Sequence, residues 1–144
     1  MSQKRMRSVA VALCALVLGA SLIAGAVPAS AHEDSTETAR SKVSMVYKAR
    51  KAKFKGLVTS SRDRCVGGRT VKLFKARNNA LVGKTTTSAS GSWAIRAKKN
   101  TGKYYSKVIA ADYTLESGSD AYGNVWVHEL LCFGAKSLTV TSNT

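Results

Sequence analysis

The stretch "KFKGLVTSSRDRCVGGRTVKLFKA", residues 53–76, decides the fold. In its first third Phe54, Gly56 and Val58 alternate with Lys53, Lys55 and Leu57. In its last third Val71 and Leu73 alternate with Lys72 and Phe74. A period of two sends one set of side chains into a core and the other into water, the pattern of a half-buried strand. Between the two runs, "SSRDRCVGG" carries turn chemistry, and Gly67 and Gly68 supply residues that accept the positive φ a tight reversal needs. Two strands joined by a turn that carries one thiol raise the question of what Cys65 is for.

The compartment bears on that question. Residues 1–31 read as a removable export signal: Lys4, Arg5 and Arg7 are basic, Val9 to Val27 is uncharged and mostly apolar, and Ala29 and Ala31 form an A-x-A cleavage pattern. A retained membrane anchor is the alternative, and Gly19, Ser21 and Gly25, which dilute the apolar run, speak against it. Cys14 lies inside this run and leaves with it; Leu13 before it is not the small residue that lipid attachment requires. After cleavage two cysteines remain, Cys65 and Cys132, and an exported chain with an even count is expected to bridge them. The loop so closed contributes about 4 kcal/mol in the chain-entropy treatment. The rival roles lack partners. A thiolate nucleophile needs a base, and His32 and His128 are the only imidazoles in the sequence. His32 would begin the mature chain and be free to move; His128 lies in the strand-like "VWVHELL". A zinc site needs about four ligands at short spacings, and no C-x-x-C occurs. No metal and no cofactor is expected.

The remaining chain divides simply. Residues 32–42, "HEDSTETARSK", have no periodicity and read as a flexible leader. Residues 43–144 are one domain, and alternation continues along it. Val43, Met45 and Tyr47 form one set; Trp93, Ile95 and Ala97 another; Tyr104, Ser106 and Val108 a third; Leu138 and Val140 close the series facing inward. "SASG", residues 88–91, is expected to turn a hairpin between "LVGKTTT" and "SWAIRA", and "ESGSDAYGN" is the longest loop. Glu116 and Asp120 in that loop lack the regular acids of a calcium site and suit a solvated turn. Such spacing predicts an all-β, antiparallel two-sheet sandwich of about seven strands, prealbumin-like or Ig-like, held by one disulfide.

"VKLF" (Val71–Phe74), "GSWAI" (Gly91–Ile95) and "GKYY" (Gly102–Tyr105) together resemble the carboxypeptidase regulatory-like, or transthyretin-like, domains, in particular their exported bacterial single-domain forms. The resemblance runs over residues 53–141 and implies a seven-stranded two-sheet fold. It carries no activity with it, because one fold hosts many functions. The hydrolase branch of that family places histidines and a Tyr-Arg-Gly-Ser tail at its active site; this chain ends Thr141-Ser142-Asn143-Thr144 and lacks those histidines.

Charge is the feature that stands above background. The sequence holds 23 Lys+Arg against 8 Asp+Glu. Between Arg40 and Lys107 the only acid is Asp63, whereas from Val108 onward Asp112, Glu116, Asp120 and Glu129 face Lys136 alone. Such asymmetry predicts a strongly positive surface region. The candidate anion-binding residues are Lys53, Lys55, Lys72, Lys75, Arg77, Arg96, Lys98 and Lys107, with Lys84 and Lys99 beside them. Tyr104, Tyr105 and Trp126 are possible stacking surfaces, although alternation sends Trp93 and Tyr104 inward. Outside a cell the fitting partners are anionic wall polymers and acidic polysaccharides, and nothing in the sequence asks for a specific nucleic acid. The expected function is a secreted, non-catalytic module that binds the cell envelope; the alternative is a secreted effector or inhibitor of a protein partner. The third reading is a transthyretin-like hydrolase, for which the site residues are missing; for the charges themselves, the bland reading is that the lysines serve solubility alone.

Overall fold

The computed structural model describes residues 32–97 and 101–142. Residues 1–31, expected to be an export signal, lie outside them, as do Lys98 and Lys99. Among the described residues there are twelve strand segments: β1 (Ser35–Ala39), β2 (Ser41–Val43), β3 (Val46–Lys48), β4 (Lys53–Ser60), β5 (Thr70–Lys75), β6 (Leu81–Thr86), β7 (Ser92–Arg96), β8 (Gly102–Val108), β9 (Ala111–Ser119), β10 (Val125–Cys132), β11 (Ala135–Lys136) and β12 (Val140–Ser142). Two single turns of 3-10 helix, Ala49–Lys51 and Asp63–Cys65, are the only helical elements among them. None is long and apolar enough to cross a membrane.

The strands form three sheets. In the first, β4 is flanked by β2 and β3 on one side and β7 on the other. In the second the order is β6-β5-β8, with β11 and β12 pairing with successive parts of β8. The third sheet has the order β1-β10-β9. All pairings are antiparallel except β1 with β10, which run parallel. The count of about seven strands in two sheets therefore becomes twelve short segments in three.

The alternating residues of residues 53–76 do what their period demands. Phe54, Val58, Val71 and Leu73 are fully buried, and Trp93, Ile95, Tyr104 and Val108 join them in one core shared by the first two sheets. The Phe54 ring meets the Tyr104 ring at 4.8 Å between centroids, directly linking β4 to β8. A smaller cluster of Ala39, Cys65, Leu130 and Cys132, with Tyr113 and Leu115 against it, seats the third sheet.

β2 and β3 are one strand in effect, since Val43 opposite Val58 and Val46 opposite Lys55 share one register with β4. The break at Ser44 coincides with Gly56, where an added Cβ would lie 1.9 Å from the Ser44 carbonyl oxygen. Between β3 and β4 the chain reverses through the 3-10 turn and Ala52, whose φ is 43°.

Four expectations change. The leader is in part strand: β1 pairs along β10, and β2 along β4. β6 and β7 do not form a hairpin. β6 pairs with β5 and β7 with β4, so residues 87–91 carry the chain from one sheet to the other. Thr87 anchors that crossing: its hydroxyl donates to the Val66 carbonyl at 2.7 Å and accepts from the Arg69 N–H at 2.9 Å. Gly91 completes it, with φ 81° and its carbonyl accepting from the Val58 N–H at 2.9 Å. A Cβ on Gly91 would lie 2.2 Å from the Val58 carbonyl oxygen. Gly91→Ala is expected to cost about 1–3 kcal/mol, the range for a residue held in a disfavoured backbone region, read as a lower urea midpoint.

Leu138 does not face inward; it is 89% exposed. Ser137 takes the inward place, its N–H donating to the Ser106 carbonyl and its hydroxyl accepting from the Ser106 N–H, which interrupts the alternation before Val140. The long loop also shrinks, because β9 runs through Ser119 and leaves Asp120 to Asn124 as the turn. Asp120 closes this turn on itself, accepting from the Asn124 side chain and from the N–H groups of Tyr122 and Asn124. Those hydrogen bonds, led by the Asn124 side chain, hold its carboxyl below the usual carboxylate range.

Candidate functional site

The second sheet presents a row of lysines on the face turned away from the core. Lys84 on β6 stands opposite Lys72 on β5, Lys72 opposite Lys107 on β8, and Lys107 opposite Lys136 on β11. Their neighbours Val71, Leu73, Ser106 and Val108 are buried, which turns these four ammonium groups outward. Like charges directly across a sheet repel. Among the described residues no carboxylate lies within ion-pair distance of any of the four.

Beside the row lies an aromatic pair. Phe74 on β5 is opposite Tyr105 on β8, and their rings stack at 5.3 Å with planes 16° apart. The Lys107 ammonium sits 5.7 Å from the Phe74 centroid, and the Lys136 ammonium 4.1 Å from that of Tyr105. The Tyr105 hydroxyl donates to the Asn79 side-chain oxygen at 2.8 Å, with Asn79 at φ 55° in the β5–β6 turn. Two of the four ammonium groups, those of Lys107 and Lys136, are thus held over a fixed aromatic platform.

A second basic group lies on the outer face of the first sheet, across the core from the lysine row. Lys48 stands opposite Lys53, and Lys53 opposite Arg96. Lys48, Arg50, Lys51, Lys53 and Lys55 line a groove of about 440 Å³ floored by Tyr47 and Ala49. The third sheet is the opposite in sign. Its strands contain Glu37, Asp112, Glu116 and Glu129 and no lysine or arginine.

No family model, curated protein or solved structure matches this chain.

The candidate residues therefore separate into two faces. Lys72, Lys84 and Lys107 fall together in the lysine row; Lys53, Lys55 and Arg96 fall together on the first sheet. Lys75 joins neither. It ends β5 opposite buried Tyr104, on the core side of the alternation. Arg77 projects from the β5–β6 turn. Lys98 is outside the described residues. Of the aromatic candidates Tyr104 is core, Tyr105 belongs to the platform, and Trp126 sits on the third sheet.

Cys65 and Cys132 form a disulfide, both fully buried, with Cα atoms 5.4 Å apart. Next to it lies a residue that sequence reasoning passed over. Arg69 is 1% exposed. One terminal nitrogen donates to the Cys65 carbonyl at 2.9 Å and the Ser41 hydroxyl at 3.2 Å; the other reaches the carbonyls of Ile109, Cys132 and Phe133. Burial pulls its guanidinium below the ordinary arginine value, with Tyr113 opposing. Lys136 was likewise missed as a candidate, because a two-residue strand has no period to read.

Proposed function

We propose that this chain is a secreted, non-catalytic β-sandwich module that holds anionic envelope polymer on the lysine row. The observation that carries the proposal is the register Lys84–Lys72–Lys107–Lys136, four cations placed side by side without a compensating acid among the described residues. Each opposed pair in such a row costs folding about 0.2–1 kcal/mol, offset in part by the ring contacts of Lys107 and Lys136. A polyanion laid across the strands relieves that repulsion and releases its own counterions. Four evenly spaced strands set the cations at the roughly 4.8 Å interstrand interval, a spacing that suits repeating phosphate or carboxylate groups better than a single small ion. The two stacked sheets with a shared core are the basis for reading the architecture as a sandwich, as the resemblance to transthyretin-like domains implies.

The test uses the secreted protein, purified wall teichoic acid and an acidic polysaccharide as probes, and a salt series. Lys72→Thr with Lys107→Thr should lower affinity and flatten the dependence of log K on log salt by about one unit per lysine removed. The same double substitution should raise the unfolding free energy by about 0.2–1 kcal/mol for each relieved pair. Weaker binding with greater stability marks a functional row. Affinity that ignores both lysines and salt would sink the proposal, and salt-tolerant binding to one protein would favour the effector alternative.

A further inference from the structure

The first sheet carries a cationic track built differently from the lysine row. Strands β3, β4 and β7 and the 3-10 turn at Ala49–Lys51 contain no acidic residue. Lys48, Lys53 and Arg96 stand side by side across the three strands, and Tyr47, Phe54 and Ile95 are the next set of partners. Phe54 and Ile95 are buried, which turns the three cations outward. Lys55 follows Lys53 on the same outer face, and Arg50 and Lys51 approach from the turn. Among the described residues no carboxylate lies within ion-pair distance of any of these six. The turn is fastened: the Ala52 N–H donates to the Ala49 carbonyl at 3.0 Å, and the Ala52 carbonyl accepts from the Ala97 N–H at 3.0 Å. Tyr47, in the floor of the groove, packs on Phe54 with ring centroids 4.8 Å apart. The groove of about 440 Å³ is therefore shaped before anything enters it. A second hollow, of about 700 Å³, shares Lys53 and Lys55 with it and continues past Val46, Leu57 and Ala94 to Ser92. Together they make a track along β4 rather than a socket for one small ion.

We propose that the module is bivalent: the first-sheet track takes a second strand of the anionic polymer, so that one molecule ties two polymer strands together. This rests on the reading of the lysine row as a polymer site. The occupant follows from charge. Six cations without an acid fit a chain of phosphates or carboxylates, and each anion seated there relieves the repulsion among Lys48, Lys53 and Arg96. Arg50 and Arg96 add forked donors that the lysine row lacks, so this track should hold phosphate with more directional contacts. Bridging follows from where the two tracks lie. Phe54 and Ile95 beneath the first track and Val71, Leu73 and Val108 beneath the row belong to one core. The two tracks therefore point away from each other, across sheets packed about 10 Å apart. A strand lying on one face cannot reach the other without bending around an edge of the domain. The free face stays open to a neighbouring strand, at the raised local concentration that the first attachment provides.

The full chain is expressed in a secreting host, purified and titrated with two probes: a phosphate oligomer about 20 Å long, the width of four paired strands, and full-length wall teichoic acid. Calorimetry with the oligomer should give two bound per chain. Light scattering with the long polymer should rise as protein is added and fall again at protein excess, when strands are covered separately and none is shared. Lys53→Thr with Arg96→Thr should bind one oligomer tightly and lose the scattering. Lys72→Thr with Lys107→Thr should do the same through the opposite face. Threonine suits exposed strand positions, and the circular dichroism and urea midpoint of each variant show that the sheets persist. One oligomer per chain, lost only with Lys72 and Lys107, overturns bivalency and leaves the lysine row standing. One oligomer lost only with Lys53 and Arg96 overturns both the row and the bridging. Two oligomers bound without scattering by the polymer overturns the bridging, since one strand would then wrap both faces. Scattering that persists in both double variants overturns it as well, because diffuse charge would then suffice.

Discussion

Replacing Cys65 and Cys132 together by alanine is expected to lower the unfolding free energy by about 4 kcal/mol, the chain-entropy value for a loop of this length. The two half-cystines are 67 positions apart, which makes the unbridged unfolded chain far freer than the bridged one. The position of the link sharpens the expectation. Cys65 ends the 3-10 turn between β4 and β5, and Cys132 ends β10, so the bond fastens the third sheet to the rest of the domain. Apart from it, that sheet rests on a small apolar cluster in which Ala39 and Leu130 are the other buried residues, and on the hydrogen bonds from Arg69 to the end of β10. A domain of this size has a net stability of about 5–15 kcal/mol, so the variant should be folded but marginal. The loss should also be local. Hydrogen exchange should accelerate first in β1, β9 and β10, while β4, β5 and β8, packed through Phe54, Leu73 and Tyr104, stay protected to a higher free energy. Urea unfolding measures the total and exchange measures its location. A change below about 1 kcal/mol, or one spread evenly over all three sheets, would show that the bridge is not what seats the third sheet.

The sequence made some of this legible and hid the rest for identifiable reasons. Where a strand is buried on one face, the period of two is written in its residues, and Phe54, Val58, Val71, Leu73, Trp93 and Ile95 all lie where it places them. The disulfide followed from counting the cysteines left after the expected export signal. β1 was invisible because "STETA" buries only Ala39 and joins the sheet through main-chain hydrogen bonds, which leave no hydrophobic pattern. The crossing at residues 87–91 looked like a hairpin because a turn reports that the chain reverses, and not which strand it then pairs with. The lysine row needed register: Lys72 and Lys107 are neighbours only because β5 and β8 align at those residues, a pairing across 35 positions that no local window contains. The same holds for His32, which reads as a loose end until Asp34 is seen to bind β10.

Arg69 was the one miss that the alternation itself could have caught. Arg69, just before β5, shares the parity of Val71 and Leu73, so the inward face that β5 continues opens on an arginine. A charge on a core face has to find partners, and here they are neutral oxygens from four parts of the chain: the turn at Cys65, Ser41 of β2, Ile109 after β8, and Cys132 with Phe133 at the end of β10. Arg69→Met keeps most of the volume and removes every donor, leaving several buried carbonyls without partners. Each buried carbonyl left without its donor costs about 1–3 kcal/mol, so several of them together should lower the unfolding free energy by about 3–5 kcal/mol. Arg69→Lys keeps the charge but not the planar fork, so it should recover only part of the loss. Ser41→Ala removes a single neutral acceptor and should cost about 1 kcal/mol. The sign of the pH effect follows from the lowered guanidinium value. A cation whose folded value lies below its unfolded one binds fewer protons when folded, so its linkage makes stability rise with pH, but only where arginine titrates. Through the carboxylate and imidazole ranges the difference between wild type and Arg69→Met should therefore stay constant. Because Arg69 and the disulfide hold the same junction, their effects should couple, and Arg69→Met in the Cys65→Ala, Cys132→Ala background should cost measurably less than in the bridged protein. Strict additivity in that cycle would mean that the guanidinium and the disulfide act on separate parts of the fold.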